Sequence, residues 1–175
     1  GGVGLVASQW AKSIGCKMIG TVSTKEKGEL AKEHGCEYII NYKEENVSKK
    51  VMEITNNEGV QVVYDGVGRD TFLESINSLS VRGLLVSLGQ SSGMVDKLDL
   101  HQIFNPKSLF YTRPNLMNYT LNNEELKECS NKLFEKMRIG EIKSNIFKKI
   151  KLEEAQKAHE ILQSRKSFGS IILEP

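Results

Sequence analysis

The apolar residues of this chain change their spacing repeatedly, and each change marks an element. Val6, Trp10 and Ile14 recur every four residues, with Ala7 and Ala11 small enough for close approach to a flat neighbour. That spacing predicts a helix over 5–14 with this stripe inward. Gly15 is a natural stop. Residues 17–22 (KMIGTV) predict a buried strand. Thr24 can cap a second helix running to His34, which Gly35 ends. Residues 37–42 (EYIINY) predict a strand, Val47, Val51 and Ile54 a helix, and 56–59 a turn. Residues 60–65 (VQVVYD) predict a third strand. Asp70 can cap a short helix with Phe72, Ile76 and Leu79 on one face. Arg82-Gly83 reads as a turn before a fourth strand at 84–88, and 109–112 as a fifth strand.

Short apolar strands alternating with helices of about ten residues imply an α/β fold with a parallel sheet and right-handed crossovers. The pattern changes after Pro114. Asn122 and Glu125 form a capping signature, and Leu126, Cys129, Leu133 and Met137 keep helical spacing to Gly140. Residues 146–150 predict a strand. A helix is expected over 152–165 with Leu152, Ala155, His159 and Leu162 inward, and a last strand within 167–173. No internal repeat or low-complexity segment interrupts this order.

Composition narrows the class of protein. The chain has 175 residues, 39% hydrophobic and 26% charged, with a net charge of +2. This is ordinary for a soluble globular protein and argues against a dedicated nucleic-acid binder. No apolar run approaches the ~20 residues needed to span a bilayer. Three scattered cysteines, Cys16, Cys36 and Cys129, suggest no disulfide framework and favour a reducing, cytoplasmic setting. The chain opens on Gly1-Gly2-Val3-Gly4, without an initiator Met or a preceding strand. A glycine loop of this kind normally follows a β-strand, so the chain is expected to be a piece of a longer protein.

Gly2-Val3-Gly4-Leu5-Val6-Ala7 fits G-x-G-x-x-A at the start of a helix. Gly2 allows a tight turn, Gly4 lets the backbone approach a pyrophosphate, and Ala7 lets the helix pack on a sheet. Unpaired N–H groups and the helix dipole then favour phosphate. A glycine-rich bend would leave the same short pattern; the βαβ context favours the dinucleotide reading. An NAD-preferring site places Asp or Glu about 20 residues on. Here that place holds Ser23, followed by Thr24-Lys25-Glu26-Lys27. Hydroxyls and lysines suit a 2′-phosphate, so NADPH is the expected cofactor, with Lys27 the main contact. Ligands of parallel sheets lie beyond the carboxyl ends of the strands. Tyr42, then Gly66 and Val67, then Leu88, Gly89, Gln90 and Ser91 occupy three such ends.

Several longer segments are more specific than the glycine loop. GGVGLVASQWAKSIG, GTVSTKEK, INYKEE, VVYDGVGRDTF, RGLLVSLGQSSG, YTRP and AHEILQSRKSFGSIILEP occur in order from Gly1 to Pro175. Together they resemble the zinc-free, zeta-crystallin-like quinone oxidoreductase branch of the medium-chain dehydrogenase/reductase superfamily. The resemblance implies a doubly wound Rossmann sheet over residues 1–118, lacking its first strand. Residues 119–175 would return into a GroES-like catalytic domain whose larger part is absent from this chain. It places Gly1, Gly2, Val3 and Gly4 on the pyrophosphate and Ser23, Lys27 and Tyr42 by the adenosine 2′-phosphate. Gly66 stands where the family often has Ser. Leu88 replaces a common Phe beside Gly89, Gln90 and Ser91 on the nicotinamide side. Arg113 and Arg165 would lie near the cofactor cleft.

The implied reaction is hydride transfer from NADPH to a quinone, with subunits paired through the edge strand 108–112. Reduction of an activated alkene such as an enal is the neighbouring enzyme reading. A cofactor-binding fragment without turnover is the non-enzymatic one. No residue stands out as general acid, nucleophile or metal ligand. His34 and His159 read as structural, and His101, after the glycine-serine loop, as the histidine to test.

Overall fold

The computed structural model describes residues 2–164 and 167–175. In chain order the first elements are α1 (Gly2–Ser13), β1 (Ile19–Val22), α2 (Lys25–Glu33), β2 (Tyr38–Asn41), α3 (Val47–Ile54), β3 (Val60–Asp65) and α4 (Phe72–Ser78). Then come β4 (Leu79–Ser87), α5 (Leu100–Phe104), β5 (Phe110–Thr112), α6 (Leu116–Tyr119) and α7 (Asn123–Arg138). The chain closes with β6 (Ile146–Lys151), α8 (Ala155–Gln163) and β7 (Ser170–Glu174). It divides into two compact units, Gly1–Asn41 with Glu128–Pro175, and Tyr42–Lys127.

In the first unit β1 pairs in parallel with β2, and β6 in parallel with β7. The caps explain where the helices begin and end. Thr24 Oγ1 accepts from the Lys27 N–H at 3.3 Å and starts α2. Gly35 follows α2 at φ +110°, a left-handed conformation. A Cβ there would lie 2.8 Å from the Ser8 carbonyl oxygen, so glycine also permits α1 to approach. Gly28 does the same for α2 over the strands, since a Cβ on it would meet Ile39 at 3.1 Å. Ile40 and Ile142 are fully enclosed.

In the second unit β3, β4 and β5 form a parallel sheet in that order. Phe72, Ile76, Leu79 and Leu85 make its core, with Val63 and Ile103 packed against them. Burying such a side chain is worth roughly 1.5–3 kcal/mol, which holds α4 on the strands. Lys107 closes the C-terminal end of α4: its ammonium donates to the carbonyls of Asn77 (3.1 Å) and Leu79 (2.5 Å). At the start of α7, Asn122 accepts from the N–H groups of Glu124 and Glu125, and Glu125 reaches back to the Leu121 N–H at 2.8 Å. This is the expected capping exchange, displaced one residue upstream.

The α/β class with parallel strand pairing is as expected, and β3 spans the residues assigned to it. Other expectations need correction. The Val6–Trp10–Ile14 stripe is not the buried face of α1; Leu5, Ser8 and Gln9 are, and Ile14 is exposed. Gln9 explains the rotation: its side-chain amide accepts from the Lys143 N–H and donates to the Lys143 carbonyl, at 2.7 and 3.0 Å. A two-point backbone clasp holds this face inward, which spacing of apolar residues cannot reveal. Thr71, not Asp70, precedes α4, and Asp70 instead meets Arg69 at 3.4 Å. Arg82-Gly83 does not separate two elements. It lies inside β4, with Arg82 at φ +60°, where the pairing jumps from Leu79 to Leu84 while β3 moves only from Val60 to Val62. This is a bulge.

The helix expected over 152–165 is a short 3-10 turn at Leu152–Glu154 followed by α8. Its buried residue is Ala158, whereas Leu152, His159 and Leu162 are exposed. Within α8 the inward stripe is Ala155, Ala158 and Ile161, three residues apart, which leaves His159 outside.

Candidate functional site

Two places hold the residues singled out by sequence. The first is the N-terminal turn of α1. Gly2, Val3 and Gly4 are exposed and carry N–H groups that the helix leaves without an acceptor. A Cβ on Gly2 or Gly4 would meet nothing within 4 Å, so space is open where a side chain would stand. No acidic residue occupies the first turn. The first turn therefore places no carboxylate of its own against the positive helix end. Alongside lies a cavity of about 550 Å³, lined by Val3, Val6, Ala7 and Trp10 of α1 and by Lys143 to Asn145.

Beyond β1 of the same unit come Ser23 and Lys27, both half-buried. Thr24 fixes the turn by its cap on the Lys27 N–H. Glu26, on the first turn of α2, has its carboxyl held below the usual range by backbone N–H donation, helped by the Thr24 hydroxyl and the Lys25 charge. Gly1 and Arg165 lie outside the described residues.

The second place is the carboxyl edge of β3, β4 and β5. Gly66 and Val67 follow β3, and Leu88, Gly89, Gln90 and Ser91 follow β4. The two loops touch: a Cβ on Gly89 would lie 2.8 Å from the Gly66 carbonyl oxygen, so only glycine fits. The Leu88 N–H donates to the Asp65 carbonyl at 2.7 Å. Ser92 binds the Val67 carbonyl with both its N–H (2.9 Å) and its hydroxyl (2.8 Å). Arg113, beyond β5, donates to Gln90 Oε1 at 2.9 Å. The structure thus brings Gly66, Val67, Gly89, Gln90 and Arg113 together on one rim. Leu88 and Tyr42 are about half exposed, and Ser91 is exposed. Behind the rim is a cavity of about 500 Å³ whose walls include Phe72, Met94, Phe104 and Tyr111. The Phe104 and Tyr111 rings meet edge to face at 6.2 Å.

A glycine-bearing helix end and a parallel-strand edge are each features that recur in dinucleotide-binding folds. The profile of the zinc-binding dehydrogenase family matches residues 2–136. The chain belongs to the zinc-binding dehydrogenase family. Within that family it is 48% identical to Quinone oxidoreductase 1 of Escherichia coli, over all of this chain and 54% of that protein. It is 40% identical to the 2-haloacrylate reductase of a Burkholderia species, over all of this chain and 53% of that protein. The crystal structure of the Escherichia coli quinone oxidoreductase complexed with NADPH superimposes with a TM-score of 0.94 at 49% identity, again over the whole chain and 54% of that one. The chain therefore spans about half the length of the relatives it matches.

In this dehydrogenase-family chain, Asp65 is a buried acid that the sequence did not single out. The signal was present: an acid ending an apolar strand, with hydroxyls at Thr71 and Ser75 after it. His101 lies exposed on α5. Among the described residues no group of three or more His, Cys, Asp or Glu is placed to hold a metal ion. No helix among them is long and apolar enough to cross a membrane.

Proposed function

We propose that this chain is the cofactor-holding part of an NADPH-dependent oxidoreductase that reduces quinones. The observation that carries the reading is the N-terminal turn of α1, with its unpaired N–H groups and the open space over Gly2 and Gly4. This turn fits a pyrophosphate. The relative crystallised with NADPH is 49% identical to this chain over the 54% of its own length that the chain covers. When bound, NADPH supplies the hydride, and the protein supplies binding and orientation. Gly1, Gly2, Val3 and Gly4 would hold the pyrophosphate. Ser23, Lys27 and Tyr42 would meet the adenosine 2′-phosphate. Gly66, Val67, Leu88, Gly89, Gln90 and Ser91 would line the nicotinamide side, with Arg113 and Arg165 at the cleft.

Residues 1–118 form the nucleotide-binding domain in this reading, and 119–175 return to a catalytic domain that uses no zinc. Two subunits pair through the edge strand at 108–112, in the cytoplasm. Phe110 and Tyr111 are 60% and 47% exposed on β5, as an edge awaiting a partner would have them. The 2-haloacrylate reductase relative favours a second reading, reduction of an activated alkene with the same cofactor site. Fluorescence titration with NADPH tests the cofactor half of the proposal, and oxidation of bound NADPH by a simple quinone tests the rest. Lys27→Glu is expected to weaken NADPH by roughly tenfold or more, as loss of a charge-assisted contact does, and to leave NADH nearly unchanged. An equal effect on both cofactors would refute the 2′-phosphate contact.

A further inference from the structure

We infer that Asp65 is a positioning residue of the dinucleotide site, holding the turn after β3 against the loop after β4. The inference rests on the cofactor reading above. Asp65 ends β3 and is 6% exposed. A carboxylate at that depth needs several donors to replace water, and here it has them. Its Oδ1 accepts from the N–H groups of Val67 at 2.8 Å and Gly68 at 3.1 Å. The Thr71 hydroxyl lies within 2.9 Å of both carboxylate oxygens, and the Ser75 hydroxyl donates to Oδ2 at 2.7 Å. One side chain thus ties the strand end, the turn and the first part of α4.

The two oxygens do different work. Oδ2 faces α4, where the Ser75 hydroxyl joins the helix to the strand end. Oδ1 faces the turn and sets the direction of consecutive peptide units at Val67 and Gly68. That turn is the surface against which Gly89 packs, through the Gly66 carbonyl. On the far side Ser92 grips the Val67 carbonyl and its hydroxyl accepts from the Asp70 N–H at 3.1 Å. Gly68, at φ +92°, adopts a conformation that only glycine holds without strain, and a Cβ there would lie 2.8 Å from the Gly93 carbonyl oxygen. The rim shape therefore depends on Asp65 from beneath and Ser92 from outside. Asp65 acts through Gly66 and Val67 rather than on the cofactor.

The test uses the whole chain, NADPH fluorescence titration, thermal melting and amide exchange. Asp65→Ala leaves the Val67 and Gly68 amides without an acceptor and is expected to raise the NADPH Kd about tenfold. Asp65→Asn keeps the Oδ1 acceptor and is expected to restore the Kd to within about threefold of the unsubstituted chain. Ile76→Ala, a core truncation on α4, is the stability control: it lowers the melting temperature and leaves the Kd in place. If Ile76→Ala weakens binding as much as Asp65→Ala does, the role of Asp65 is only structural and the inference fails. It also fails if Asp65→Ala binds as the unsubstituted chain does. Should Asp65→Ala not fold, Asp65→Asn decides: affinity and the protection of the Val67 and Gly68 amides must be kept together, and their parting in either direction overturns the inference. Absence of NADPH binding by the unsubstituted chain removes the cofactor reading itself and this inference with it.

Discussion

The two candidate places, one in each compact unit, are built on opposite principles. At the start of α1 the protein offers bare backbone: exposed glycines, unpaired N–H groups and empty space where side chains would stand. At the edge of β3 and β4 nearly every group is committed. Asp65 ties the turn after β3 to its own strand end and to α4, Ser92 and the Arg113–Gln90 pair link neighbouring loops, and a Cβ on Gly68 or Gly89 would collide with backbone. The first place needs only that nothing be in the way. The second must be held in shape, because its surface is made of turns that have no repeating hydrogen bonds of their own.

This contrast can be broken from either side. The largest effect is expected in the second unit, where Leu85→Ala opens a cavity at a fully enclosed position of the strand that carries the second loop. Chemical denaturation should show a loss of about 2–5 kcal/mol. A loss below this range would mean that the edge loops do not depend on the core under them. A smaller effect, of opposite sign, tests the first place. Gly4→Ala replaces a helical glycine whose surroundings are open, so it should stabilise the chain by roughly 0.5–1 kcal/mol. It should weaken NADPH at the same time, because its methyl group occupies the approach to the N–H groups. Stability and affinity moving in the same direction would contradict a site that works by vacancy.

The smallest expected effect is a pH dependence. Glu74 on α4 accepts from the Ser48 N–H at 2.8 Å and from the Asn46 side-chain amide at 3.1 Å, at the start of α3. These bonds, the Ser48 N–H first, hold its carboxyl below the usual range. A depressed carboxylate contributes stability that is present above its unfolded pKa and lost as pH falls through the folded one. The melting temperature of the unsubstituted chain should therefore converge on that of Glu74→Gln under acidic conditions and exceed it near neutrality. A difference independent of pH would assign the contribution to packing.

Much of the fold could be read from the chain, and the reasons are local. Gly15, Gly35, Thr24 and Asn122 end or begin helices because each supplies a backbone conformation or an acceptor that its near neighbours lack. The strand over 60–65 is legible because it is a short run rich in β-branched and aromatic residues bounded by Gly59 and Gly66. What was illegible depends on partners distant in sequence. Gln9 turns α1 because its amide clasps Lys143, 134 residues away. Arg82-Gly83 reads as a turn until the pairing of β3 with β4 shows that it is a bulge within a strand.

The same division separates the two candidate places. The glycines of α1 declare themselves in sequence, because what they do is leave room, and the lack of a side chain is a property of the residue alone. The rim over β3 and β4 does not. Asp65 gains its meaning only when Thr71 and Ser75 are wound back onto it by α4 and when the loop carrying Gly89 is laid beside the Gly66 carbonyl. Sequence by itself therefore determined the class of fold, the order of its strands and the glycines that open α1. Tertiary structure alone decided which polar groups are buried against one another, because a hydrogen bond between distant residues depends on where the chain returns and not on what stands beside them in it.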